Sequence, residues 1–245
     1  MPLTTTADVQ VFQTKDELVV ATEQWLAAQI REALAVRPFA YIAISGGSTP
    51  KPVYERMSAL SGIDWGSVHV CFVDERNVPP SDKDSNYRMV REAWFDSGVV
   101  PASNIHRMQG ELDAAEAAVL YEAELHHIKV PRAAGLPVFD AVLLGMGPDG
   151  HTASLFPDTV ALNARERWVT ANWVPKLDTH RITLTFPSID SARNVAFMVA
   201  GDDKAEALAQ VLSGQSNLPA ARITPRNGRL QWLVDAAAAR VATTH

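Results

Sequence analysis

Short apolar runs typical of β-strands alternate along this chain with longer segments that have the apolar spacing of helices. Strands are predicted at residues 9–12, 39–44, 68–73, 139–144, 168–171, 181–185, 194–199 and 230–234, and helices at 16–36, 50–60, 86–95, 114–128 and 203–212. This alternation predicts an α/β fold in which a mainly parallel, open, Rossmann-like sheet carries helices on both faces. Because no internal repeat or low-complexity linker interrupts it, residues 1–245 are predicted to form a single domain.

Net charge and cysteine content narrow the possible partners and the cellular compartment. The formal net charge of −6 argues against a nucleic acid or an acidic membrane as partner. The single cysteine, Cys71, cannot form an internal disulfide, which fits a reducing cytosol. Cys71 is expected to be a small core residue. No signal peptide and no bilayer-spanning run are readable. We therefore expect a cytoplasmic protein; its oligomeric state is left open, with a monomer as the working expectation.

A glycine-rich turn at residues 145–150 follows the strand at 139–144 and carries Asp149 and His151 to its carboxyl end. Ligands bind at that end of the strands in open α/β sheets, and histidine is the side chain best suited to move a proton near neutral pH. By itself the segment is equally compatible with an ordinary loop whose backbone satisfies His151. Its three glycines match the dinucleotide-binding pattern G-x-G-x-x-G, but Pro157 closes the segment before a long helix can begin, so that match carries no weight.

A second glycine loop, residues 45–50, lies between a predicted strand and a predicted helix. Glycines before a helix N-terminus expose backbone N–H groups that can bind an anion. Thr49 is predicted to cap the helix, with Pro50 at its first position. The Walker pattern is absent because no Gly-Lys-Ser/Thr follows at the required spacing. A tight, well-capped turn is the alternative interpretation.

Charged residues also lie near the ends of predicted elements. Asp74, Glu75 and Arg76 directly follow the strand at 68–73 and are either a solvated turn or one wall of a site. Arg181 begins a predicted strand. Lys204 lies near a helix start, where a cation opposes the helix dipole unless an anion is bound. Two ordinary surface cations are the alternative for this pair.

Taken together, these segments resemble the 6-phosphogluconolactonase family, the α/β form related to glucosamine-6-phosphate deaminase. The resemblance extends from about Val9 to Val234, and its motifs occur in family order: residues 45–50, 74–79 with 85–86, 145–157, 181–185 and the segment around Lys204. It implies the sugar-phosphate isomerase fold and cytosolic hydrolysis of 6-phospho-D-glucono-1,5-lactone in the pentose phosphate pathway. The implied partner is a small-molecule sugar phosphate lactone, and no cofactor is required.

The chemistry of lactone hydrolysis assigns roles to these residues. His151 is the predicted general base, oriented by either Asp149 or Asp74, and Arg76 would contact the sugar acid or the developing negative charge. The 6-phosphate would be held by Ser45, Gly46, Gly47, Ser48, Thr49, Arg181 and Lys204. Serine catalysis is not expected because no G-x-S-x-G motif is present. A metal site is not expected either, since His126 and His127 are adjacent and point to different faces of a helix.

Two other functions compete with this interpretation. The deaminase branch shares the glycine loop, the aspartate at position 74 and the Asp-Gly-His turn, but it places a glutamate five residues after the histidine. Here that residue is Phe156, which can neither accept a proton nor orient an imidazole by hydrogen bonding. Arg76 also follows the lactonase form, because the deaminases typically have an aromatic residue there. A non-catalytic sugar-phosphate binding module is the other alternative, and the retained His151 and Asp149 argue against it.

Overall fold

The computed structural model describes residues 8–242 of the chain. Within them the strands are β1 Asp8–Phe12, β2 Ala40–Ile44, β3 Val68–Phe72, β4 Asp74–Arg76, β5 Ile105–His106, β6 Arg132–Ala133, β7 Leu136–Pro137, β8 Ala141–Leu144, β9 Val169–Val174, β10 Thr179–Leu184, β11 Asn194–Val199 and β12 Arg229–Asp235. The helices are α1 Lys15–Val36, α2 Lys51–Met57, α3 Asn86–Ala93, α4 Ala114–His127, α5 Phe186–Asp190, α6 Ala205–Leu212 and α7 Ala236–Ala239. Short 3₁₀ turns occupy several of the connections.

Seven strands form one sheet in the order β1-β12-β11-β8-β2-β3-β5, and every neighbouring pair is parallel. Side chains alternate between its two faces, so each face has its own apolar core. One core contains Leu26 of α1 and Tyr54 of α2, and the other contains Leu125 of α4 and Leu208 of α6. The predicted α/β fold, with a mainly parallel sheet covered by helices on both faces, is confirmed.

The strand order reverses between β2 and β8. From β2 the chain builds outward to β3 and β5, whereas from β8 it builds outward to β11 and β12. The connections leave in opposite directions at such a point, which opens a crevice at the carboxyl ends of the two strands. The two glycine loops follow β2 and β8, so the topology brings them to the same crevice.

The main difference from the sequence prediction is a second sheet, with the order β4-β10-β9 and antiparallel pairing. No strand is predicted for the charged residues that follow the strand at 68–73, but Asp74–Arg76 forms β4 and pairs with β10. A segment of three charged residues has no strand periodicity of its own; its backbone partners come from β10. Arg181 is accordingly the third residue of β10 rather than the first residue of a strand, and it lies opposite Arg76.

The predicted cap of α2 is also wrong. The helix begins at Lys51, and Pro50 occupies the cap position without a side-chain hydrogen bond. The carbonyl of Pro50 accepts from the backbone N–H groups of Val53 and Tyr54 at 2.9 and 3.3 Å. Pro52 lies in the first turn, where proline is tolerated because an N–H is not needed there. Thr49 therefore remains outside the helix, in the glycine loop.

Cys71 lies on β3 and is fully buried, as expected of a core residue. Among residues 8–242, no helix combines the length and the apolar character needed to cross a bilayer. The single domain predicted for residues 1–245 remains a prediction, and residues 1–7 and 243–245 lie outside the described range. The expectation about a signal peptide concerns mainly those first residues.

Candidate active site

The crevice between β2 and β8 is a cleft of about 240 Å³. Both glycine loops line it, together with side chains from β4, α3, β11 and the start of α6. Most of the residues predicted for the site line it directly: Ser45, Gly46, Gly47, Ser48, Thr49, Asp74, Arg76, His151 and Lys204. The other two predicted residues act on His151 from beside the cleft, Asp149 by a hydrogen bond and Arg181 by its charge.

The imidazole of His151 is held on two sides. Its Nδ1 lies 2.5 Å from Oδ1 of Asp149, and its ring stacks on Phe156 with 4.0 Å between centroids and 21° between planes. Gly147 makes room for this arrangement, because a Cβ there would lie 2.1 Å from Nδ1 of His151. A carboxylate accepts hydrogen bonds, so this contact assigns the proton of the neutral ring to Nδ1. The lone pair then lies on Nε2.

The surroundings of His151 favour its neutral form. Burial lowers its pKa to about 4, and the positive charges of Lys204, Arg181 and Arg76 act in the same direction. The negative charge of Asp74 opposes this shift. At neutral pH the imidazole is therefore available to accept a proton.

Asp74 is a buried carboxylate that is anchored away from the imidazole. Its Oδ2 accepts from Oγ of Ser154 at 2.6 Å, and its Oδ1 accepts from Nδ2 of Asn86 at 3.3 Å. Of the two aspartates considered for orienting His151, Asp149 is the one that makes the hydrogen bond. Asp74 contributes its charge to the cleft instead.

The charged segment after β3, Asp74–Arg76, forms one wall of the cleft and is not a solvated turn. Glu75 is buried, and its carboxylate accepts from the backbone N–H groups of Arg76, Asn86 and Tyr87 at 2.7, 2.7 and 2.8 Å. It also accepts from Oγ of Ser85 at 3.1 Å. These bonds join β4 to the N-terminus of α3, which places Arg76 on one side of the cleft and Asn86 beside it.

Three cations surround the cleft. Arg76 and Arg181 occupy opposite positions of β4 and β10. Burial lowers the pKa of Arg181, and so does the charge of Arg76, as expected for two guanidinium groups brought together. Lys204 directly precedes α6, and its Nζ contacts Oδ2 of Asp203 at 2.6 Å. This concentration of positive charge is suited to an anionic ligand.

The loop after β2 presents unused hydrogen-bonding groups. Within the described chain, the backbone N–H groups of Gly46, Gly47, Ser48 and Thr49 have no protein acceptor. The positive φ of Gly47, +104°, is a conformation that favours glycine, and a Cβ at Gly46 would lie 1.9 Å from Oδ1 of Asn86. Free N–H groups ahead of a helix are the geometry of an anion-binding loop.

Three further residues of this site are not predicted from the sequence. Asn86 was noted only as part of the family motif, although it lines the cleft and its Nδ2 donates to the backbone oxygen of Asp74 at 3.0 Å. Ser154 was not singled out as the partner of Asp74. Lys176 lies in the 3₁₀ turn Pro175–Leu177 between β9 and β10, and its Nζ is ion-paired with Oδ2 of Asp149. Nothing in the local sequence marks Lys176, because the contact forms only when the β9–β10 hairpin folds back on the glycine loop.

Comparisons with known proteins agree with the geometry. Residues 13–232 match the family described as glucosamine-6-phosphate isomerases/6-phosphogluconolactonase. A 6-phosphogluconolactonase of Nostoc sp. is 41% identical over 234 residues, covering 94% of this chain and 96% of that protein. A 6-phosphogluconolactonase of Haemophilus influenzae is 38% identical over 207 residues, covering 82% and 87%.

Solved structures show the same relationship. The 6-phosphogluconolactonase of Trypanosoma brucei superposes with a TM-score of 0.86 at 28% identity and covers 96% of this chain and 98% of its own. A monomeric glucosamine-6-phosphate deaminase, with a TM-score of 0.80 and 20% identity over 96% of this chain and 99% of its own, shares the fold. This chain therefore belongs to the glucosamine-6-phosphate isomerase/6-phosphogluconolactonase family.

Proposed function

We propose that this chain is a lactone hydrolase that converts 6-phospho-D-glucono-1,5-lactone into 6-phospho-D-gluconate in the pentose phosphate pathway. The observation that carries the proposal is the imidazole of His151, hydrogen-bonded to Asp149 and stacked on Phe156, in a cleft surrounded by three cations. The names of relatives such as the Nostoc and Haemophilus influenzae enzymes support the substrate.

In the proposed reaction, Nε2 of His151 takes a proton from the attacking water as the water oxygen bonds to C1 of the lactone. The resulting imidazolium is stabilised by Asp149, and the tetrahedral oxyanion by the charge of Arg76. When the intermediate collapses, the bond between C1 and the ring oxygen breaks, and the imidazolium returns its proton to that oxygen. The carboxylic acid product then ionises, which releases one proton to solvent.

The phosphate is assigned to Arg181 and Lys204. Arg181 offers a planar pair of donors and Lys204 a point charge, and both match a phosphate group. The unpaired backbone N–H groups of residues 46–49 supply further donors in the cleft that Lys204 also lines. On this assignment the enzyme uses binding energy from the phosphate to place C1 beside His151.

Phe156 leads to an expected difference in reaction class. The protein should hydrolyse fresh phosphogluconolactone without added metal or nucleotide and should release no ammonia from glucosamine 6-phosphate. The reason is that deaminase-type ring opening uses a glutamate five residues after the histidine, and that position is Phe156 here, an apolar ring on which the imidazole stacks. Proton release, corrected for spontaneous hydrolysis, measures the first activity, and an ammonia assay measures the second. Ammonia release at a rate near that of lactone hydrolysis, and lost in His151→Ala, would overturn the proposal in favour of the isomerase branch.

Burial of His151 and the charges around it lead to a second expectation, for its titration. In the free protein the imidazole should stay neutral as the pH falls from neutrality and take up a proton only near its pKa of about 4. Binding of 6-phosphogluconate should raise that pKa, because the phosphate neutralises Lys204 and Arg181, which otherwise disfavour the imidazolium. Histidine NMR titration with and without the product measures both values, with the signal assigned by its loss in His151→Ala. A free-protein pKa near 6.5 that the product leaves unchanged would contradict both the effect of burial and the charge arrangement.

We also propose that the protein acts without a cofactor, as a monomer in the cytosol. Hydrolysis of an activated ester needs only water and a proton acceptor, and the cleft provides the acceptor. The single, fully buried cysteine is consistent with a reducing compartment.

A further inference from the structure

Lys176 contacts both groups that hold the imidazole of His151. Its Nζ is ion-paired with Oδ2 of Asp149, the carboxylate whose Oδ1 meets Nδ1 of His151. The same Nζ lies 4.7 Å from the ring centroid of Phe156, on which the imidazole stacks. Lys176 comes from the turn between β9 and β10, whereas the other three residues belong to the segment after β8. Lys176 therefore contacts both Asp149, which hydrogen-bonds to the imidazole, and Phe156, on which the imidazole stacks.

We propose that Lys176 is a positioning residue that fixes Asp149 and sets the basicity of His151. This inference rests on the proposed function only for its consequence for turnover, because the titration of His151 can be measured in the free protein. The ammonium group occupies one carboxylate oxygen, so the other is left pointing at Nδ1. Its positive charge also offsets part of the negative charge of Asp149 at the imidazole, which makes the imidazolium less favourable.

The charged groups that face His151 come from five places. Asp149 lies on its own loop, Asp74 and Arg76 on β4, Arg181 on β10, Lys204 before α6, and Lys176 on the β9–β10 turn. The carboxylates favour the charged imidazolium and the cations oppose it. Lys176 differs from the other cations because it is already bound to a carboxylate of this set. Phosphate binding would neutralise Arg181 and Lys204 but not Lys176, whose partner is Asp149.

Replacing Lys176 should therefore change the titration of His151 in a defined direction. In Lys176→Met the apolar stem remains, but the charge of Asp149 acts on His151 alone. The pKa of His151 should rise by about 0.5–1 unit, a modest shift for a neighbouring charge because Lys176 is half exposed to solvent. Lys176→Arg keeps a cation at this place and should restore the original value. The acid limb of kcat/KM should move in parallel, since the active form is the neutral imidazole.

The test is a histidine NMR titration of the free protein, followed by a pH profile of lactone hydrolysis. Lys51→Met is the matched control, because Lys51 has the same 49% side-chain exposure and an ion pair with Glu55 at 3.5 Å, but lies outside the cleft lining. An upward shift in Lys176→Met, absent in Lys176→Arg and in Lys51→Met, supports the assignment. The assignment is overturned if the pKa of His151 is unchanged in Lys176→Met. It is also overturned if Lys176→Arg shows the same upward shift as Lys176→Met. Because the titration needs no substrate, a protein without lactonase activity contradicts the proposed function and leaves the pKa test intact.

Discussion

His151→Ala is expected to lower kcat for phosphogluconolactone by about 10²–10⁴-fold, the usual contribution of a positioned general base. Affinity for 6-phosphogluconate should change much less, because the phosphate is assigned to Arg181, Lys204 and the loop after β2. The measurement is steady-state proton release at several lactone concentrations, corrected for spontaneous hydrolysis, with product affinity determined by calorimetry.

His127→Ala is the control for this experiment. His127 is exposed at the end of α4 and lies outside the cleft, so its removal changes the histidine content without touching the site. It should retain the kcat of the unmodified protein. Near-normal turnover in a folded His151→Ala protein would remove His151 from the role of base.

Arg181→Ala and Lys204→Ala are each expected to raise KM and weaken product binding by roughly ten- to a hundredfold, since a hydrogen bond to a charged group contributes about 1.5–3 kcal/mol. Unphosphorylated gluconolactone should be a poor substrate of the unmodified protein and should be affected much less by either substitution. Calorimetry with 6-phosphogluconate, together with KM values for both lactones, checks this expectation.

A suitable control is Arg31→Ala, which removes an exposed arginine of α1 whose guanidinium contacts the backbone oxygen of Ser61 at 3.5 Å. It changes net charge as Arg181→Ala does but should leave KM for the phosphorylated lactone unchanged. If Arg181→Ala and Lys204→Ala both bind the product as well as the unmodified protein does, the phosphate lies elsewhere in the cleft.

The sequence was sufficient to predict the parallel sheet and the residues of its crevice, because both have local signals. Strand and helix periodicities differ, and glycine loops after strands mark where ligands approach an α/β sheet. β4 was missed because its three charged residues form a strand only by pairing with β10. The cap of α2 was placed one residue too early, since Pro50 and Pro52 are both compatible with a helix start and only the fold distinguishes them.

The same reasoning applies within the site. The sequence left Asp149 and Asp74 as alternative partners of His151, and the choice depends on Ser154 and Asn86, which bind the carboxylate of Asp74. Lys176 could not be predicted, because its contact with Asp149 joins two segments that are brought together only by the hairpin of β9 and β10. Local patterns thus identified the reactive group, whereas the choice of its neighbours required the tertiary structure.

The hydrogen bond between Asp149 and His151 spans two positions of the chain, whereas the cations around the cleft are contributed by β4, β10 and the start of α6. A short-range contact costs little chain entropy to form, and a site assembled from distant segments depends on all of them being docked. Mild denaturant should therefore separate the two functions of the cleft. Arg76 and Arg181 would move away from the cleft as soon as the small antiparallel sheet loosens, while the proton acceptor and its carboxylate would still be paired in their turn. A fall in kcat/KM that precedes any loss of the contact between His151 and Asp149 would be the sign of this order.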